Sequence, residues 1–189
     1  YAPVVASVVA VSVVWRYILQ KDGLLNSLLA VFGIAGPDWL HDTRYALPAL
    51  MVMTIWRNMG TLMIIFLAGL QAIPEELKEA AAIDGASKWQ QILHVTLPNL
   101  RTMIAILFIL NVGKSLNADF GLFWNVPMQS GALFSVTQVI DTYIYRVLMN
   151  TGNIGQSTAA GLLQNIVGFI CIIGANAVVK KIDSASTLF

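Results

Sequence analysis

Gly113-Lys114-Ser115 is the tripeptide that closes a phosphate-binding loop, in which backbone amides and a lysine cradle the phosphates of a nucleotide. The full pattern also needs a glycine five residues before Gly113, a strand before the loop and a helix after it. Phe108 stands at that position, and the tripeptide ends an apolar run. No nucleotide site follows. His41 and His94 have no metal-ligand spacing around them, and no serine, histidine and aspartate fall into a nucleophile motif. What remains is non-covalent chemistry, with any energy supplied by another chain.

The residues suited to such chemistry are polar groups set inside apolar segments, where they are costly and face a cavity or a partner helix. They are Trp56, Arg57 and Asn58 in one segment, Asn111, Lys114, Ser115 and Asn117 in a second, and Gln164 and Asn165 in a third. Amide side chains and an aromatic ring suit a solute with many hydroxyls and flat apolar faces. For Arg57 and Lys114 two readings stand side by side: a charge snorkelling to an interface or paired with an acid such as Asp119, and a charge lining a solute path. Asn111, Gln164 and Asn165 fit a path or hydrogen bonds between helices. Gly161, Asn165, Gly168, Ala175 and Asn176 share one stripe, read as a close-packing seam.

The elements that must position these groups are membrane spans. The chain of 189 residues is 57% hydrophobic and 11% charged, where soluble domains carry about a quarter charged residues. Its net charge of +1 and the lack of a long basic run exclude nucleic-acid binding. The single cysteine, Cys171, lies in an apolar run and excludes an intrachain disulfide. A span needs about 20 mostly apolar residues. Four segments qualify: 1–19, about 45–73, about 100–118 and about 157–179, which together predict an all-α membrane protein forming one domain over 1–189. The absence of an initiating Met and of a charged leader at Tyr1 suggests the C-terminal part of something longer.

Between the first two spans, the short apolar run LLNSLLAVFGI reads as a re-entrant or interfacial piece. Between the last two, Val136, Val139, Ile140, Tyr143, Ile144, Val147 and Leu148 recur at helical spacing. That pattern fits an amphipathic helix resting on other spans or at the interface, or a gate for solute.

Residues 74–98 form a polar elbow between the second and third spans. Pro74, Glu75 and Glu76 suit a helix start, Gly85 suits its left-handed end, and Ser87 with Gln90 reads as a capping box opening a second helix. Trp89, Ile92, Leu93 and Leu97 make one apolar stripe, and Pro98 leads into the third span. The elbow could be an interfacial hairpin packed on the spans. Its alanine-lined face beside Glu79 and Asp84, with four acids against two lysines from Pro74 to Pro98, also fits a docking site for a basic or dipole-positive groove.

Glu79-Ala80-Ala81, Gly85 after three residues, then nine residues and Val95-Thr96-Leu97-Pro98 resemble the EAA signature, EAA-x3-G-x9-I-x-LP, of membrane subunits of binding-protein-dependent ABC importers. Val95 in place of isoleucine is the one departure. The stretches ALPALMVMTIWRNMG, IIFLAGLQAIPEELKEAAAIDGASKWQQILHVTLP, LFILNVGKSLNADF and VIDTYIYR are similar to the carbohydrate branch, most closely the subgroup serving polysaccharide-derived or complex oligosaccharides. The resemblance implies that Glu79, Ala80, Ala81, Asp84, Gly85, Leu97 and Pro98 belong to a cytoplasmic coupling helix seated in an ATPase subunit. It implies a solute path among Trp56, Arg57, Asn58, Asn111, Lys114, Asn117, Gln164 and Asn165. It also implies an ATPase dimer holding ATP and Mg²⁺, a second permease, an extracellular solute-binding protein, and N-terminal spans that precede Tyr1, which would lie in the third. The chain would bind no cofactor itself.

Basic residues divide five against four: Lys78, Lys88, Arg101, Lys180 and Lys181 with the elbow, Lys21, Arg44, Lys114 and Arg146 opposite. That favours an elbow and C-terminus inside the cell, in a multi-pass protein of the cytoplasmic membrane. Two other readings stay open: the same transporter class with peptide or amino-acid cargo, and a membrane scaffold or sensor that docks a partner without moving solute.

Overall fold

A computed structural model describes residues 2–128 and 130–182. The regular structure among these residues is helix, with no β-strand, as apolar segments in hydrocarbon require for their backbone to satisfy itself. The first apolar stretch forms two helices, α1 (Ala2–Val5) and α2 (Val8–Leu19), parted at Ser7, whose ψ of 133° is not helical. With 12 residues, α2 is about 18 Å long, short of the roughly 30 Å of a hydrocarbon core. The predicted first span is therefore an interrupted helix. After it come α3 (Leu24–Val31) and α4 (Thr43–Gln71), and then the elbow helix α5 (Glu75–Ile83). Two short helical pieces, α6 (Lys88–Gln91) and a π-helical turn (Ile92–Thr96), run without a break into α7 (Leu97–Gly113). Beyond lie α8 (Phe120–Asn125), α9 (Phe134–Thr137), α10 (Ile140–Thr151) and α11 (Ile154–Ile182).

Among the described residues, three helices are long and apolar enough to cross a membrane: Thr43–Gln71, Lys88–Gly113 and Ile154–Lys181. Only 11% of the most apolar part of each of the first two is buried within the chain. Leu62, Met63, Ile64 and Leu67 on α4 stand exposed, and leaving such side chains in water forgoes about 2 kcal/mol each. Lipid or a neighbouring helix covers them without that loss. The third span starts earlier than its apolar run because the elbow's second helix is continuous with it. It stops earlier, at Gly113, where Lys114 forms the C-cap.

Packing divides the described residues into two units, one built from residues 2–61 with 116–164, the other from 62–115 with 165–182. In the first, Leu50, Met53 and Leu122 are fully buried and gather Val11, Leu19 and Leu40 around them. The interfacial run predicted before α4 is α3 with its turn. Its buried Asn26 donates to the carbonyls of Lys21 at 3.0 Å and Pro37 at 3.1 Å and accepts from Trp39 Nε1 at 2.7 Å, so one amide ties the connection together. The helical pattern expected across 136–148 breaks at Gln138, which is extended, so α9 and α10 are separate. Thr142 Oγ1 accepts from the Val139 backbone at 3.2 Å and satisfies a donor left free at the start of α10.

In the second unit, Ile109 packs with Ala175 and Val179. A methyl group added at Gly168 would sit 2.8 Å from the carbonyl oxygen of Gly113, and one at Gly113 would strike Ile172. Here α7 and α11 meet backbone to backbone, as the small-residue stripe predicts for Gly168, Ala175 and Asn176, all buried. Asn165 faces outward.

Candidate functional site

The elbow is shaped by its caps. Glu75 and Glu76 sit in the first turn of α5, where the helix dipole favours negative charge, and Pro74 occupies the N-cap. At the other end Gly85 has φ of +78°, a left-handed conformation. The amide of Gly85 bonds the carbonyl of Ala82 at 3.0 Å, and that of Ala86 bonds the carbonyl of Ala81 at 2.9 Å. This pair of bonds is a Schellman motif, which satisfies carbonyls that the helix end would otherwise leave free. Ser87 then caps the next helix: its backbone donates to Gln90 Oε1 at 2.7 Å, while its hydroxyl accepts from the Gln90 backbone at 3.4 Å. Gln91 Nε2 closes the corner on the carbonyl of Ala86 at 3.0 Å.

Pro98 explains the turn that follows. In an α-helix its ring would press on the carbonyl of His94, and it has no N–H to donate. The chain widens into a π-helical turn just before it, with the Leu97 amide bonded to the Ile92 carbonyl, and the helix continues. The elbow's second half and the third span thus form one rod.

Glu79, Ala80, Asp84, Gly85, Leu97 and Pro98 are exposed, and Ala81 is half-buried. Ala81, Asp84, Gly85, Gln90, His94 and Val95 line an open concavity of about 300 Å³. The apolar stripe stays uncovered within the chain: Trp89 is 69% exposed, and Leu93 and Ile92 are exposed with it. So is Ile83 at 87%. An unburied apolar stripe on a polar projection is what a docking surface offers.

The intramembrane polar residues fall into two groups. In the first unit they converge on the non-helical stretch Leu116-Asn117-Ala118-Asp119. Arg57 on α4 forms an ion pair with Asp119, whose other oxygen accepts from the Leu122 backbone at 3.2 Å and caps α8. Asp141 on α10 accepts from the Ala118 backbone at 2.8 Å. Gln164 on α11, 7% exposed, points its Nε2 at the Leu116 carbonyl (3.0 Å), Asn117 Oδ1 (2.6 Å) and Asp141 Oδ1 (3.2 Å). Two amide protons serve three oxygens, so the longest of the three is a shared bond. We call this arrangement the clasp. Beside it Trp56 meets Trp15 edge to face, with ring centroids 5.5 Å apart, and Asn58 turns back to the Thr54 carbonyl at 2.9 Å.

In the second unit, Asn111 is exposed and donates to the Leu107 carbonyl at 2.7 Å, Lys114 is exposed at the negative end of α7, and Asn165 is exposed. Asp141 and Asn26 were not singled out from the sequence. Asn26 carried a signal, an amide inside an apolar run, whereas Asp141 lay merely off a helical stripe.

Residues 2–182 match the family described as binding-protein-dependent transport system inner membrane component. The chain belongs to that family. It is 34% identical over 176 residues to Protein LplB of Bacillus subtilis (strain 168), covering 93% of this chain and 54% of LplB. To the polygalacturonan/rhamnogalacturonan transport system permease protein YteP of the same organism it is 32% identical over 174 residues, covering 92% and 54%. The fold is similar to a crystal structure of a bacterial ABC transporter involved in the import of the acidic polysaccharide alginate, with TM-score 0.88 and 28% identity, covering 97% of this chain and 64% of that one. A second structure, of bacterial alginate ABC transporter in complex with alginate pentasaccharide-bound periplasmic protein, matches with TM-score 0.87 and 28% identity over 96% of this chain and 63% of that one. The chain spans about half the length of the curated relatives it matches. An inner membrane component of this family is a permease subunit, not a catalytic one.

Proposed function

We propose that this inner membrane component is the permease of an ABC importer that carries a sugar or oligosaccharide across the cell membrane. The observation that carries the reading is the elbow: a short helix closed by Gly85, an uncovered apolar stripe, exposed Glu79 and Asp84, and a second helix fused to a span. Those features suit a joint that accepts force from outside and delivers it as rigid-body movement. In this reading Glu79, Ala80, Ala81, Asp84, Gly85, Leu97 and Pro98 seat on one subunit of an ATPase dimer, which holds ATP and Mg²⁺. Elbow and C-terminus face the cytoplasm. A second permease completes the solute path, an extracellular binding protein delivers the cargo, and Trp56, Arg57, Asn58, Asn111, Lys114, Asn117, Gln164 and Asn165 border its route. The carbohydrate assignment draws on relatives whose names record polygalacturonan, rhamnogalacturonan and alginate.

The test uses proteoliposomes holding the permease pair, the ATPase and the binding protein, offered oligogalacturonides, arabino-oligosaccharides and dipeptides in turn. ATP-dependent uptake of one of the two sugars is expected. Uptake of dipeptides alone, or of none of the three, overturns the cargo assignment. Glu79→Lys and Gly85→Arg should insert and assemble yet abolish cargo-stimulated ATP hydrolysis. Normal stimulation in both would refute the role given to the elbow.

A further inference from the structure

The stretch Leu116-Asn117-Ala118-Asp119 follows the rod that begins at Lys88 in the elbow and ends at Gly113. Outside any helix, its backbone groups need partners from elsewhere. Two helices supply them, Gln164 on α11 taking the Leu116 carbonyl and Asp141 on α10 the Ala118 amide, and a third helix holds the stretch by a side chain, Arg57 on α4 pairing with the Asp119 carboxylate. Gln164 also bridges Asn117 and Asp141, so α10 and α11 grip the stretch through a single amide.

Two features set this stretch apart from a loose connection. Asp119 is an ion-pair partner with one oxygen and the N-cap of α8 with the other, so any displacement of the stretch moves the start of α8. In turn α8 is locked to α10 by rings: Phe120 and Trp124 stand 5.1 and 4.7 Å from Tyr145, and 5.6 Å from each other. A flexible tether in this position would absorb movement of the rod, whereas a stretch fixed at each residue carries it onward.

We propose that the clasp is the positioning device that passes movement of the elbow rod to the α8–α10 region, with Gln164 and Asp141 as its positioning residues. The inference rests on the reading of the chain as an ATPase-coupled permease.

The experiment separates the two. In the assembled complex in nanodiscs, with Cys171→Ala as background, single reporters are placed before and after the clasp: Asn99→Cys at the elbow end of α7 and Met149→Cys on α10, both exposed sites. Maleimide labelling rates are compared between the nucleotide-free complex and the complex trapped with ATP and vanadate. With the clasp intact, both rates should change by about fivefold, the lower range of ordinary allosteric coupling. With Gln164→Leu the Asn99→Cys response should persist while the Met149→Cys response disappears. Gln164→Asn, which keeps an amide but draws it back by one methylene, should behave the same way and serves if the leucine variant fails to assemble. A Met149→Cys response that survives in whichever of these variants assembles, or that is missing with the clasp intact, overturns the clasp while leaving the transport reading in place. An Asn99→Cys rate indifferent to nucleotide with the clasp intact overturns the transport reading, and the clasp with it.

Discussion

The elbow and the clasp are both polar structures in an apolar chain, and they are held in opposite ways. Every bond that shapes the elbow joins residues five or fewer apart: Gly85 to Ala82, Ala86 to Ala81, Ser87 to Gln90, Gln91 to Ala86. The bonds of the clasp join residues 23, 47, 48 and 62 apart. A locally held element can keep its shape while its surroundings change, which suits a part presented to another protein. An element held by distant helices records where those helices are. The difference predicts that damage to the clasp spreads and damage to the elbow stays put.

The largest effect should come from the ion pair. Arg57→Ala leaves the Asp119 carboxylate, mostly shielded from solvent, without its counter-charge, and breaking such a pair costs about 3 kcal/mol. The loss should appear as a clearly lowered melting temperature of the detergent-solubilised protein. Arg57→Ala with Asp119→Ala should cost less than the sum of the two single changes, because the second removes the orphaned charge. Strict additivity would mean that the pair contributes no coupling, and the contrast with the elbow would fail at its strongest point.

The same contrast decides what could be read from the sequence. The Gly85 turn and the Ser87–Gln90 box are signals within four residues, and each predicts its own geometry without knowledge of the rest of the chain. Three apolar helices were equally legible, because composition over about 20 residues settles them. Residues 1–19 misled, since apolar character continues through Ser7 while the backbone does not. Arg57 could be read only as two alternatives, and the ion pair with Asp119 is a fact of folding across 62 residues. Asp141 was less legible still. Nothing near it in sequence indicates that its carboxylate meets the Ala118 amide, because that meeting depends on where α10 lies beside the stretch after α7. The continuity of elbow and span was hidden by Pro98, which marks a boundary by the usual rule and here is accommodated by a π-helical turn.

A smaller and confined effect is expected at Gly85. Space is open where a methyl group would go, so Gly85→Ala meets no neighbour, and its cost is the left-handed backbone alone, about 1–2 kcal/mol. Hydrogen exchange should quicken at the Gly85 and Ala86 amides, which close the Schellman motif, with the melting temperature lowered by less than in Arg57→Ala, by a few degrees at most. Loss of protection that extends to Ala118, whose amide belongs to the clasp, would show that the elbow is not locally held after all.

The smallest effect concerns a third polar turn, and it asks whether local closure is general outside the spans. Asp38 accepts from the amides of Leu40 at 3.3 Å and His41 at 3.2 Å, and its carboxylate lies 2.9 Å from His41 Nδ1. Burial pushes its pKa up, but the hydrogen bonds and the charge of His41 outweigh that and hold it below the ordinary aspartate value. A depressed carboxyl stabilises the fold above its unfolded value, and that contribution is lost as pH falls through the folded one. The turn should therefore be unaffected near neutrality and loosen only in acid, below the ordinary aspartate range. Exchange at the Leu40 and His41 amides reports it, and Asp38→Asn should remove most of the acid dependence. Because the side chain is partly exposed, solvent screens the charge and the shift in overall stability should be close to undetectable. If acidification instead loosened the Ala118 amide together with Leu40 and His41, the turn before α4 and the clasp would be one cooperative structure, and the division between local and long-range polar order would have to be redrawn to include it.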